Sequence, residues 1–138
     1  MANLSLVTAN KLEVVESILQ FTLPTTEVVS PGHAARLDTS NGKLTKANGT
    51  TAPEARILGV TVGGVANIAG MPQTVIRKGV IDGYDLSGLA YDAPVYLSDT
   101  DGALADAAGT VSVVVGRVIP ASAVNLGTAL DKLLLVVL

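Results

Sequence analysis

The feature that most constrains this chain is its punctuation. From Glu27 onward, short runs of Val, Leu, Ile and Ala alternate with turn-forming residues. Asn-Gly and Asp-Gly pairs supply the positive φ angles that tight hairpins need, and β-branched residues favour strands. Many short strands with turns at this spacing predict an all-β fold, a compact sandwich or barrel-like domain. The predicted strands are Ala34–Asp38, Lys43–Lys46, Arg56–Val62, Gln73–Arg77, Pro94–Ser98, Val111–Ile119 and Lys132–Leu138. The stretch from 121 to 130 has room for one helical turn.

The first 26 residues lack this punctuation and contain no Gly. One set of their apolar residues fits an amphipathic helix and another fits extended alternation, so periodicity decides neither. The two sets are Leu12, Val15, Ile18 and Leu19, and Leu4, Leu6, Leu12, Val14 and Ile18. Pro24 disfavours helix before it and makes a natural joint. We therefore predict an N-terminal arm over residues 1–26 that serves attachment rather than folding, and a β-rich domain over 27–138. The alternative is that the segment is an ordinary strand or helix of the domain.

An internal repeat relates two segments that lie 60 residues apart. LDTSNGKLTKANGT, beginning at Leu37, aligns without gaps on LSDTDGALADAAGT, beginning at Leu97. Each copy is followed by a Val/Ile-rich strand that contains one glycine. The repeated unit is a strand, a glycine turn, a short strand, a loop and a long strand, which predicts two similar β units packed in one domain. Gly42 and Gly102 are expected to occupy equivalent hairpin turns at positive φ.

Composition favours a chain that buries surface against partners. Only 15% of residues are charged and the mean hydropathy is +0.50, whereas a soluble monomer normally carries more charge and interface cores carry less. A net charge of −3 with scattered Lys and Arg disfavours nucleic-acid binding. The absence of Cys excludes disulfides and Cys-type zinc sites. The start lacks the basic region of a signal peptide and the run from Leu133 to Leu138 is too short to cross a bilayer, so no membrane partner is expected.

Candidate catalytic and metal-binding residues are few. His33 is the only histidine, and no nucleophile motif accompanies it. Asp99 and Asp101 open a calcium-like loop that lacks the remaining oxygen ligands and the closing Glu. Three further loop acids are close in sequence: Asp82, Asp85 and Asp92. They would suit glycoside hydrolysis, but the chain has no Trp to form a sugar platform. We therefore predict a non-enzymatic protein with no catalytic residue, cofactor or metal, and keep a small hydrolase that uses the loop acids as an alternative.

Five short motifs occur in a fixed order between Glu27 and Leu138: DTSNGKLTKANG, ARILGVTVGG, QTVIRKGVI, YDAPVYLSDTDGAL and VVVGRVI. This order resembles that of the capsid cement (head decoration) proteins of tailed bacteriophages. In that family a Gly-Asp-x-Val-Tyr stretch commonly precedes the turn and the Val-Gly-x-Val strand. Here Tyr91 stands in place of the usual Gly. The motifs are short and typical of β proteins, so the resemblance rests on their order.

The resemblance implies a structural protein of the virion that binds the outer capsid surface and clamps neighbouring subunits of the major capsid protein. It implies assembly in the host cytoplasm and self-association as a homotrimer, with a dimer as the alternative. It also places the capsid contact on the arm, through the apolar residues Leu4, Leu6, Val7, Leu12, Val14, Val15, Ile18, Leu19 and Phe21. The alternative function is a trimeric receptor- or glycan-binding module of the virion, against which the shortage of aromatic residues counts.

Overall fold

The computed structural model describes residues 2–64, 68–120 and 132–138, which form nine β-strands and no helix. This confirms the all-β prediction. The strands are β1 (Glu13–Leu23), β2 (Ala34–Leu37), β3 (Leu44–Lys46), β4 (Ile57–Gly64), β5 (Gln73–Asp82), β6 (Pro94–Leu97), β7 (Leu104–Ala105), β8 (Val114–Pro120) and β9 (Lys132–Val137). The helical turn expected between 121 and 130 lies outside the described residues. Within the described part of the chain, no helix is long and apolar enough to cross a membrane.

The strands form one curled antiparallel sheet in the order β3-β2-β4-β5-β9-β8-β6-β7, with β1 added beside β5. The long strand β5 pairs with β4 through residues 73–76 and with β9 through residues 78–81. Because β1 pairs with both of these stretches, it occupies the opposite edge of β5. The order is the same when read inward from either end: β3-β2-β4-β5 corresponds to β7-β6-β8-β9. The sequence repeat is therefore also a structural repeat.

Glycines at matching positions of the two repeats have matching roles. Gly42 and Gly102 both have a φ of 72°, which confirms that they occupy equivalent turns at positive φ. A side chain on Gly59 would lie against the carbonyl oxygen of Ile76 in β5. A side chain on Gly116 would likewise lie against the carbonyl oxygen of Leu135 in β9. Only glycine permits so close a backbone approach, so each repeat brings its long strand onto the next strand in the same way.

Backbone hydrogen bonds between loops join the two repeats. The N–H of Gly49 donates to Ser98 O at 2.8 Å, and the N–H of Gly102 donates to Ala47 O at 2.8 Å. Gly102 also accepts from the N–H of Ala34 at 2.8 Å. The hairpins β2–β3 and β6–β7 lie at opposite ends of the strand order, so these bonds bring the ends of the curled sheet together. Backbone groups that would otherwise be left unpaired at the sheet ends are satisfied there.

The main core lies inside the curl and consists of aliphatic side chains and one tyrosine. The hydroxyl of Tyr84 donates to Gly32 O at 2.5 Å, and burial raises the pKa of Tyr84. The largest aliphatic contributions come from Val60, Ile76, Ile81, Leu86, Val95, Leu97, Leu104, Val115, Val118 and Leu134. A second, smaller cluster is formed by Val29, Ala35, Leu44 and Val75. Buried aliphatic surface, rather than aromatic packing, thus stabilises the domain.

Residues 2–12, called the strap below, pack onto the main core ahead of β1. The N–H of Leu4 donates to Leu104 O at 2.8 Å, and the N–H of Val7 donates to Gly83 O at 2.8 Å. The strap leucines, Leu4, Leu6 and Leu12, are partly buried against the core. The predicted separation of an attachment arm from the fold is therefore wrong for the strap, because its leucines bury apolar surface that the rest of the sheet leaves open.

The turn glycines yield a stability prediction. Replacing Gly42 with Val should lower the free energy of unfolding by about 1–3 kcal/mol, because a β-branched residue is strained at positive φ. Gly102→Val should cost more, since a Cβ there would also lie 3.1 Å from the His33 ring. Ala103→Val is the control, and chemical denaturation of each variant gives the comparison. Equal losses in all three variants would contradict this assignment of strain to the glycines.

Candidate interaction surface

The strand β1 is the most exposed element of the sheet. Of its eleven residues, all but Leu23 are exposed. Its one recorded partner among the described strands is β5, so its outer edge presents unpaired backbone groups. The large apolar side chains exposed along it are Val14, Val15, Ile18, Leu19 and Phe21, with Ile18 reaching 66% exposure. An exposed apolar edge strand of this length is a template for pairing with another chain.

The apolar side chains of β1 project from both faces of the sheet. Val14 lies opposite Ile81, which belongs to the main core, whereas Phe21 lies opposite Val75, which belongs to the second cluster. Directly opposite residues share a face in an antiparallel pair. A partner that pairs with the outer edge of β1 would therefore meet apolar side chains above and below the new strand.

Three register shifts interrupt the pairing of β1 with β5, and all of them fall between Val14 and Gln20. At Gly79, which has a φ of 155°, a side chain would lie against Glu16 O. Glycine at this position therefore permits the close approach of the irregular strand. Bulges bend an edge strand and limit indiscriminate pairing. The edge is thus suited to a partner with a matching shape rather than to any extended chain.

The structure divides the nine predicted contact residues into two groups. Six are exposed: Val7 in the strap, and Val14, Val15, Ile18, Leu19 and Phe21 in β1. The other three, Leu4, Leu6 and Leu12, pack on the main core and have little surface left for a partner. The open choice between helix and strand resolves to strand, because β5 offers a free edge to this segment. That edge lies more than 50 residues further along the chain, so local periodicity carries no signal for it.

His33 lines a cleft between the strap and the two repeat hairpins, together with Leu6, Tyr84, Asp101 and Gly102. Its Nδ1 accepts the N–H of Ser30 at 3.0 Å, so the neutral ring carries its proton on Nε2. Burial, and secondly the charge of Lys46, lower the pKa of His33, while Glu27 opposes them. His33 thus serves as a neutral hydrogen-bond acceptor at a turn, which agrees with its interpretation as a non-catalytic residue.

The acids considered for calcium binding already have donors within the chain. Asp99 accepts from the N–H and the hydroxyl of Thr110, both at 2.8 Å. Asp101 accepts from Asn48 Nδ2 at 2.5 Å, which adds a side-chain bond between the two repeat hairpins. No group of three His, Cys, Asp or Glu residues able to hold a metal occurs in the part of the chain that the structure describes. The turn interpretation of Asp99 and Asp101 therefore fits their observed bonds.

Two of the three loop acids considered for hydrolysis also have local partners. Asp85 accepts from the hydroxyl of Ser87 at 2.7 Å, and hydrogen bonds from Ser87 lower the pKa of Asp85. Asp92 pairs with Arg117 at 2.9 Å on the surface. A general acid needs a raised pKa, and Asp85 has the opposite shift.

No family model, curated protein or solved structure matches the chain. Its function therefore follows from its own surfaces and from the order of its motifs. Among those surfaces, β1 combines a free backbone edge with exposed apolar side chains. The role of Asn48 was missed at the level of sequence, although its Asn-Gly pair lies in the repeat. The contact joins residues of different repeats, which no spacing within one repeat could indicate.

Side-chain truncations should distinguish the strap from β1. Leu6→Ala is expected to lower the free energy of unfolding by about 1–3 kcal/mol, because Leu6 packs on the core. Ile18→Ala removes a similar amount of exposed side chain and should change stability by less than about 0.5 kcal/mol. Urea denaturation of the two variants is the measurement. If Leu6→Ala were as neutral as Ile18→Ala, the strap would be a detached arm after all.

His33 should make stability depend on pH near neutrality. Its folded pKa lies below the ordinary value of 6.5, so on acidification the unfolded chain takes up a proton before the folded chain does. The free energy of unfolding is therefore complete above pH 6.5 and should fall as the pH drops from there toward the folded pKa. His33→Asn retains a short side-chain acceptor for Ser30 but does not titrate. Thermal melts between about pH 7.5 and 5.5 should show a steeper decline for the parent chain, and parallel curves would refute the assignment.

Proposed function

We propose that this chain is a non-enzymatic structural protein that binds the outer surface of a phage capsid and cements contacts between major capsid protein subunits. The observation that carries the proposal is β1, an edge strand exposed on both faces with five large apolar side chains. The order of motifs in the sequence supplies the capsid as the partner. The occupied acids and the neutral, hydrogen-bonded His33 favour a binding role over a catalytic one.

The edge of β1 suits strand addition by a partner protein. Backbone hydrogen bonds along such an edge provide affinity, and side-chain contacts on alternate faces provide selectivity. The inner edge of β1 is paired with β5 over the whole strand, so this segment need not order itself on binding. A preformed strand avoids most of the entropy that a free arm would lose. Attachment through β1 therefore needs no unfolding of the domain.

Self-association belongs to the same proposal. The low charge content and the positive mean hydropathy favour a chain with much of its surface in contacts. A homotrimer on the outer capsid would present three copies of β1 at once, and linked sites bind with far greater avidity than single ones. Modest contacts at each copy would then hold neighbouring capsid subunits together.

Co-sedimentation with matching empty heads tests the capsid proposal. The protein should bind expanded heads more tightly than unexpanded heads. Val14→Ser should weaken binding about tenfold, as expected for a buried apolar contact at an interface. Val114→Ser on β8 is the matched control, because the two valines are 43% and 46% exposed in the free protein. Near-equal binding by the two variants, or no binding by the parent chain, would overturn the proposal, and binding to glycans alone would favour the receptor-binding alternative.

A further inference from the structure

Three arginines gather around one residue of β4. Arg36 lies opposite Ile57 on β2, and Arg56 precedes Ile57 in the chain. Arg77 reaches over from β5 and donates from Nη1 to Ile57 O at 3.3 Å and Leu58 O at 3.0 Å. These arginines and the neighbouring Lys78 are called the arginine end below. Although the cations look scattered in the sequence, six of the nine Lys and Arg lie between residues 27 and 78.

The arginine end has no ion-pair partner in the described part of the chain. The two ion pairs found there are Lys46–Glu27 and Arg117–Asp92. The Nε of Arg36 is buried and has no hydrogen-bond partner among the described residues. Asp38 is near enough for the charge of Arg36 to lower its pKa, but its carboxylate already accepts two bonds from Ser40. Each guanidinium has five N–H donors, so most of this hydrogen-bonding capacity is free for an external acceptor.

The acids gather beside the strap. Glu13 and Asp82 lie directly opposite each other on β1 and β5, an arrangement of like charges that disfavours the isolated chain. Asp82 and Asp85 line one depression next to Val7. Asp85 also lines a second depression with Asp106 and the first residues of the strap. These four acids are called the acidic end, and seven of the twelve Asp and Glu lie between residues 79 and 138.

The two ends are separated along the strands. Arg77 and Asp82 lie on the same strand, five residues apart, which corresponds to about 16 Å of extended chain. The strand β9 runs in the same sense between the ends, from Lys132 beside Asp82 to Val137 opposite Lys78. This separation exceeds the screening length of about 8 Å at physiological salt. The two charge clusters therefore act as separate surfaces rather than neutralising each other.

We propose that copies of this chain associate head to tail, with the arginine end of one copy against the acidic end of the next. A two-fold contact through either end would place like charges together, whereas a heterologous contact pairs opposite charges. Guanidinium groups bind carboxylates with two parallel hydrogen bonds, and a guanidinium between Glu13 and Asp82 would relieve their repulsion. The inference rests on the self-association within the proposed function and deepens it. Closed, this contact makes a ring such as the homotrimer; unclosed, it makes a filament.

Sedimentation velocity at two ionic strengths tests the charge dependence. At about 10 mM salt the screening length is about 30 Å, and the parent chain should sediment as an oligomer at micromolar concentration. At about 1 M salt the screening length falls to about 3 Å, and the oligomer should dissociate at least in part. A monomer at both ionic strengths, or an oligomer indifferent to salt, would overturn the proposal.

Two matched variants test which end of the molecule matters. Arg56→Gln removes a cation from the arginine end and should weaken association at low salt about two- to fivefold. Lys11→Gln changes the net charge equally, but Lys11 lines a surface with Glu13 and Asp82, so association should stay the same or strengthen. Asp82→Asn should weaken association as Arg56→Gln does. Equal weakening by Arg56→Gln and Lys11→Gln would instead indicate general repulsion and refute a head-to-tail contact.

The two proposals can fail separately. Loss of head binding with salt-sensitive self-association intact would reject the capsid function alone. Tight head binding by a chain that never self-associates would reject the head-to-tail contact alone. Circular dichroism of Arg56→Gln and Lys11→Gln should match the parent spectrum, since both side chains are exposed.

Discussion

The fold depends on β5, because this one strand pairs with three others. Its residues 73–76 and 78–81 give one edge to β4 and β9, and the whole strand gives the other edge to β1. Two glycines permit the close backbone approaches this requires: Gly59 for β4 and Gly79 for β1. β5 thus joins the first repeat to the second and at the same time supports the exposed strand. The interaction surface is therefore built directly on the most connected part of the sheet.

The strands of the two repeats were predictable because their signals are local. Turn glycines and β-branched runs located seven strands, and the repeat predicted the equivalence of Gly42 and Gly102 that their common φ of 72° confirms. The two-residue strand β7 was missed, since so short a strand has no periodicity of its own. It exists because its partner β6 is present. Local sequence thus accounts for the turns and long strands, and neighbouring strands account for the rest.

The N-terminal segment shows where sequence reasoning ends. Leu4 and Ile18 have the same apolar character in sequence, yet Leu4 packs on the core and Ile18 is exposed. The difference depends on residues that lie far along the chain, such as Leu104 beneath the strap. Likewise, the scattered cations become a cluster only when β2, β4 and β5 are placed side by side. Surfaces assembled from distant segments need the fold itself before they can be recognised.

The distance between β1 and its partner has a consequence for synthesis on the ribosome. Phe21 pairs with Val75, so β1 leaves the ribosome about 50 residues before its partner does. At translation rates of about 5–20 residues per second, the apolar strand waits roughly 3 to 10 s without a partner. Lys11, Glu13 and Glu16 flank or interrupt its apolar run, and charges so placed suppress aggregation of nascent strands. These charges thus protect the growing chain until β5 emerges.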